Sequence, residues 1–212
     1  MGRGRNGIFK MEVQTGDVTA IRHSEPLRFL HNPQWPPDGK TILYECNQAR
    51  MENNRTAWRF SLLALDLASG KERELCEGQT GYALSPDSRH LALAYQGALK
   101  LMPASGGEPR ELLRLPVSQS IVEMAWTPDG QDLLFVEANP PNQEQPPELW
   151  QVRAASGEAR KIGPLMKGLS GLHVHPDGRQ ITFTAGDQRQ AEVWVMENFL
   201  SVAGNREPGR KP

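Results

Sequence analysis

Two cysteines in 212 residues are too few for a disulfide framework. No apolar run approaches the ~20 residues that cross a bilayer. The first residues, Met1-Gly2-Arg3-Gly4-Arg5-Asn6-Gly7, lack the hydrophobic core of a secretory signal, and Asn6 stands where a myristoylation motif carries Ser or Thr. Charge of one sign is missing too: 24 Lys and Arg against 25 Asp and Glu leave a net charge of −1. That balance gives neither the basic footprint of a nucleic-acid binder nor a basic membrane-facing patch. The expected partner is a protein or peptide, with no nucleic acid, no membrane insertion and no cofactor.

What the chain does have is repetition. Trp35-Pro36-Pro37-Asp38-Gly39, Leu84-Ser85-Pro86-Asp87-Ser88, Trp126-Thr127-Pro128-Asp129-Gly130 and Val174-His175-Pro176-Asp177-Gly178 each precede a short alternating run. The four aspartates recur at intervals of 49, 42 and 48 residues, a period at which propellers and solenoids repeat. Proline presets φ for a tight turn, aspartate bonds the backbone beyond it, and glycine takes the φ > 0 position. Ser88 in place of glycine implies either strain or a different turn.

A second phrase interleaves with the first. Ile8 to Gly16 aligns with Leu62 to Gly70, Ala98 to Gly106 and Leu149 to Gly157, each a strand closed by Ser/Thr-Gly or Ser-Gly and followed by a short, partly charged strand. Each unit therefore holds four antiparallel strands, A to D, which is a propeller blade. Apolar residues alternate after each Pro-Asp turn (Ile42 and Tyr44, Leu91 and Leu93, Leu133 and Phe135, Ile181 and Phe183). Trp35, Leu84, Trp126 and Val174, with Tyr82, Met124 and Leu172, are expected to pack between blades, because one blade cannot bury both its faces.

The fold class is thus an all-β propeller of about four to five four-stranded antiparallel blades, incomplete or closed by shared or exchanged strands. Boundaries fall at a partial blade 7–22, blades 28–76, 80–115 and 120–163, and a partial blade 169–199, with flexible ends at 1–6 and 200–212. Strands C and D open the chain, and the last unit stops at C. The N-terminal D strand, Val18 to Ile21, either completes the last blade or stays with its own C strand in a blade lacking A and B. Open edges invite association, so a homo-oligomer is expected.

Cys46 and Cys76 close strands B and D of one blade. Two ladder spacings, roughly 9–10 Å, exceed the ~7 Å that a disulfide spans between α-carbons. Both are expected to be free thiols, in keeping with a cytoplasmic, reducing compartment; the periplasm is the alternative for a fragment of a longer chain.

The pattern Trp/Leu-x-Pro-Asp-Gly-x-x-Ile/Leu-x-Phe, with strands of the type Leu-Trp-x-Val and Ser-Gly-Gly-Glu-Pro-Arg-Glu-Leu, resembles the TolB-type propeller repeat over residues 7–199. Such repeats occur in TolB, in the N-terminal propellers of prolyl-oligopeptidase-like peptidases, and in sensor or interaction regions of bacterial regulators. The resemblance implies a propeller with more blades, of which this chain is a C-terminal portion. Ser88, the doubled Pro36 and the missing last strand depart from the pattern.

No catalytic residue is assigned. Gly168-Leu169-Ser170-Gly171-Leu172 approaches a nucleophile elbow, but Leu172 replaces the second glycine and the segment precedes an antiparallel strand. His173 and His175, at i and i+2, share a strand face and would bind zinc if Glu123 or His31 supplied a third ligand; hydrogen bonding in a wet channel is the plainer role. The long B–C connections, Asn47 to Thr56 and Asn139 to Pro147, read as loops. Arg50, Met51, Arg55, Trp58 and Arg59 form the candidate partner patch, with His31, Asn32, Glu123 and His173 near the channel. Three functions follow: a non-catalytic scaffold binding a protein or peptide, alone or as the sensor or interaction end of a bacterial signalling or regulatory protein; the substrate-gating propeller of a prolyl-oligopeptidase-like hydrolase; or a small-ligand or carbohydrate-binding propeller or propeller lyase.

Overall fold

The computed structural model describes residues 7–139, 145–164, 168–187 and 190–197, and these form seventeen β-strands and no helix. Both expected flexible ends, 1–6 and 200–212, lie outside the described residues. The chain divides into two compact units, Met1–Val122 and Glu123–Pro212.

In the first unit β1 (Gly7–Met11) and β2 (Val18–His23) make a two-stranded sheet. Four-stranded antiparallel sheets follow from β3 (Arg28–Gln34), β4 (Thr41–Glu52), β5 (Arg55–Asp66) and β6 (Glu72–Glu77), then from β7 (Gln79–Leu84), β8 (His90–Tyr95), β9 (Ala98–Pro103) and β10 (Arg110–Arg114). The second unit carries β11 (Ser120–Trp126, which straddles the boundary), β12 (Asp132–Ala138), β13 (Glu148–Arg153) and β14 (Ala159–Pro164). Its last sheet has three strands, β15 (Ser170–Val174), β16 (Gln180–Asp187) and β17 (Gln190–Glu197). Strand order follows chain order in every sheet, so each is a meander of A to D type. Of the two places open to the N-terminal D strand, the structure takes its own C strand: Met11 pairs with Val18 and Ile8 with Arg22.

The Pro-Asp turns share one geometry. N–H groups of Gly39, Ser88, Gly130 and Gly178 donate to the carbonyls of Pro36, Ser85, Thr127 and His175 at 3.1, 2.8, 2.9 and 2.8 Å. Each aspartate Oδ1 accepts the N–H two residues on, from Lys40, Arg89, Gln131 and Arg179. Ser88 makes the same turn at φ 55°, beside glycines at 62° to 72°. Strain, not a different turn, is the consequence of its side chain.

Alternation builds the core. Leu30, Ile42, Tyr44, Cys46, Leu63 and Leu65 face Ile8 and the flanking Ile21. From the opposite face of the same sheet Leu43, Leu62 and Ala64 pack on Tyr82, Leu91, Leu93 and Met102 of the next. In the second unit Leu134, Val136 and Leu149 meet Leu172, Ile181, Phe183 and Ala185. These side chains interlock sheets that could not bury both faces alone.

Four expectations need correction. The first B–C connection is not a loop: β4 and β5 run on as twelve-residue strands, joined only by Asn53 and Asn54 at φ 49° and 63°. Two successive positive φ values are the signature of a type I′ hairpin, whose twist suits extended antiparallel strands. Cys46 accordingly lies inside β4, not at its end; both cysteines are free. Trp35 is 50% exposed. It follows the end of β3, beside Ile42 by continuation of the Gln34–Leu43 pairing, on the face whose neighbouring sheet has two strands instead of four. Finally, Leu91 pairs with Met102 as Ile42 pairs with Leu65 and Leu133 with Val152. The equivalent of Leu62 is therefore Leu99, one residue beyond the position that matching Gly106 to Gly70 implies, and Gly106 closes a tighter turn on Pro103.

Candidate interaction surface

The β4–β5 extension forms an arm whose two faces are set by strand parity. The ladder pairs Asn47 with Phe60, Ala49 with Trp58, Met51 with Thr56 and, in the adjoining ladder, Phe29 with Asn47. Directly paired residues project to the same side of a sheet. Phe29, Met51, Trp58 and Phe60 therefore share a face, at 40%, 66%, 50% and 38% exposure. The rings of Phe29 and Trp58 lie 5.8 Å apart at 46°. This face continues the side of the sheet that carries Leu43 and Leu62.

The other face is charged. Gln48 pairs with Arg59, Arg50 with Ala57 and Glu52 with Arg55. Arg59 is held by Glu74 at 3.0 Å and Glu77 at 2.9 Å. The Arg59 hydrogen bond keeps the Glu77 carboxyl below its ordinary range, and the Arg50 charge adds to that. Among the described residues Arg50 and Arg55 form no ion pair. The predicted patch of Arg50, Met51, Arg55, Trp58 and Arg59 is thus two patches back to back. Phe29 and Phe60, absent from the sequence reading, complete the aromatic one; the signal that would have found them is the period of two carried through Asn47 to Phe60.

His31 pairs with Glu45 on the same side as Phe29, at the foot of the arm. Burial raises the Glu45 carboxyl, whose Oε1 is enclosed without a hydrogen-bond partner. Asn32 adopts φ 49°, and its carbonyl accepts the Tyr82 hydroxyl at 2.6 Å; the same hydroxyl reaches the Leu43 carbonyl at 3.1 Å. Burial and the Glu45 charge both raise the Tyr82 phenol.

Glu123 and His173 belong to the second unit. Glu123 Oε1 accepts the Gly171 N–H at 3.1 Å and so fixes the entry to β15. His173 pairs with Thr182 and is exposed. His175 lies past the end of β15, its Nδ1 2.8 Å from Asp177, in the place where Ser85 and Thr127 donate their hydroxyls to Asp87 and Asp129. It is a turn residue engaged with Asp177. Among the described residues no three His, Cys, Asp or Glu side chains gather as a metal site. Ser170 sits on an antiparallel strand with its hydroxyl 2.7 Å from that of Thr184, which is not a nucleophile-elbow geometry. Of the second long connection, residues 140–144 lie outside the described residues.

One cavity of about 170 Å³ opens on β12–β14, lined by Asp132, Gln151, Arg153, Glu158, Ala159 and Arg160. Asp132, Gln151, Arg153 and Arg160 are linked: Gln151 Nε2 donates to Asp132 at 2.7 Å, Arg153 Nε lies 3.0 Å from Asp132, and Arg160 Nε donates to Gln151 at 2.8 Å. These bonds join β12, β13 and β14 as a structural network.

No family model and no curated protein matches the sequence. Solved structures do. The putative TolB from Agrobacterium tumefaciens is 22% identical with a TM-score of 0.67, over 92% of this chain and 67% of that one. An oligogalacturonate lyase in complex with manganese is 14% identical, TM-score 0.68, over 92% and 57%. A puromycin-hydrolyzing peptidase of Mycobacterium tuberculosis is 16% identical, TM-score 0.62, over 89% and 33%. The chain therefore has the β-propeller fold. Its fold is similar to that of the putative TolB, and it spans part of the length of these proteins.

Proposed function

We propose that this chain is a non-catalytic propeller scaffold that binds a protein or peptide through the β4–β5 arm, alone or as the interaction end of a longer regulatory chain. One observation carries the reading: Phe29, Met51, Trp58 and Phe60 are gathered on one face of an ordered arm and left 38–66% exposed. Aromatic side chains with few rotamers are efficient binding anchors, and contiguous exposed apolar surface marks interaction sites. The TolB likeness supports it, since propellers present recognition elements on a rigid frame. A second reading, the gating propeller of a peptidase, is supported by the likeness to part of the puromycin-hydrolyzing enzyme.

Selection of peptides from a random display library against the chain tests the leading reading. Selected peptides are expected to lose binding to a Phe29→Ser/Trp58→Ser/Phe60→Ser variant that melts cooperatively. Undiminished binding to that variant would overturn it.

A further inference from the structure

We infer that the arm takes its partner as an added β-strand along the outer edge of β5, and that the partner strand alternates apolar and acidic residues. The inference rests on the partner-binding reading above and specifies its mode.

Hydrogen bonds at the two ends of β5 fix which backbone groups point outward. Leu67 N–H donates to Lys40 C=O, so odd-numbered residues of β5 turn toward β4; Phe60 C=O accepts from Gly78 N–H, so even-numbered ones turn away. The β5–β6 ladder starts at Ser61 and Glu77. Toward the arm tip the N–H and C=O of Trp58 and Thr56 therefore face outward, with no strand beside them among the described residues. Such an edge is a template for strand addition.

Side-chain parity then dictates the sequence of the guest. Residues placed opposite Thr56 and Trp58 project onto the aromatic face and are apolar. Those opposite Arg55 and Ala57 project onto the charged face, where Arg55 forms no ion pair and Arg50 lies just across the small Ala57. β6 already shows the solution further along the same edge: Glu74 and Glu77 hold Arg59, while Leu75 and Cys76 pack on the apolar side. The guest continues that arrangement past Gly78.

A second copy of the chain fits less well. Antiparallel pairing of two arms through Thr56 and Trp58 would set Arg55 opposite Arg59 of the other copy, and like charges facing across a ladder repel.

The test uses the full chain and a fluorescein-labelled peptide alternating valine and glutamate, followed by anisotropy. Saturable binding below about 1 mM is expected, with Thr56 and Trp58 amides gaining exchange protection. Arg55→Glu should weaken it about tenfold. Replacing the peptide's glutamates by lysine, or N-methylating the backbone positions that pair with β5, should abolish it. Equal binding of the N-methylated or lysine peptide, absence of binding below that concentration, or arm-to-arm dimerisation that excludes the peptide overturns strand addition. If display-selected peptides still require Trp58 and Phe60, partner binding by the aromatic face survives that result; if they do not, the underlying reading falls as well.

Discussion

Trp58 stands opposite Ala49 across the β4–β5 ladder, and Ala49 is 8% exposed beside an indole that is itself half in water. A large residue over a small one lets the ring cover the arm backbone while its outer side faces solvent. Phe29 closes on it from the third strand. Trp58→Ala should cost no more than about 1 kcal/mol of global stability, because half the indole is already exposed. Amide exchange at Ala49, Arg50, Glu52, Arg55 and Ala57, whose N–H groups are bonded, should nonetheless accelerate, while that of β8 and β9 does not. A global loss several times larger would show the arm to be part of the core.

Tyr82 ties two blades of the first unit by its hydroxyl, which bonds the Asn32 and Leu43 carbonyls. Tyr82→Phe leaves both without this donor in a buried site. The expected loss is about 1–3 kcal/mol, measured by chemical denaturation; a neutral result would mean that water replaces the hydroxyl.

Ser88 occupies a left-handed position that the other three turns give to glycine. Ser88→Gly should therefore stabilise the protein by about 1 kcal/mol, and Gly130→Ser should destabilise it similarly. Equal melting temperatures for parent and both variants would refute the strain assigned to this turn.

Acid should act on the turns in a defined direction. The Ser85 hydroxyl and Arg89 N–H lower Asp87, the Thr127 hydroxyl lowers Asp129, and the Arg179 N–H with His175 lowers Asp177. A carboxyl lowered on folding contributes stability above its unfolded pKa, and that contribution is lost as pH falls through the folded value. Glu45 has the opposite sign, because burial raises it: its ionised form weakens the fold, and the penalty lifts as pH falls. Asp87→Asn/Asp129→Asn/Asp177→Asn should flatten the acid limb of the stability–pH curve, whereas Glu45→Gln should raise the melting temperature at neutral pH. A triple variant with an unchanged acid limb would contradict the first expectation.

The blades were legible because turn and strand residues agree at every repeat: proline, aspartate and a left-handed residue at the corner, period two beyond it. The arm was not, because Asn47 to Thr56 is polar, and polar stretches between strands ordinarily read as loops. Its hydrogen-bonded pairing, not its composition, makes it a hairpin, with Asn53-Asn54 as the one local signal. The candidate patch was half visible for the same reason: residue types named Arg50 and Trp58, but only register separates them onto opposite faces. The role of His175 in the turn was not legible either, because its contact with Asp177 depends on the corner geometry and not on residue spacing. Trp35 failed because burial of its face depends on a neighbouring sheet that holds two strands.

Residue-resolved amide exchange of the free chain tests the central claim most directly. An ordered arm with an open outer edge predicts slow exchange at Arg55, Ala57 and Arg59, whose N–H groups bond β4, and fast exchange at Thr56 and Trp58, which face outward. Uniformly fast exchange from Ala49 to Arg59 would mean that the segment is a loop and that neither face exists as described.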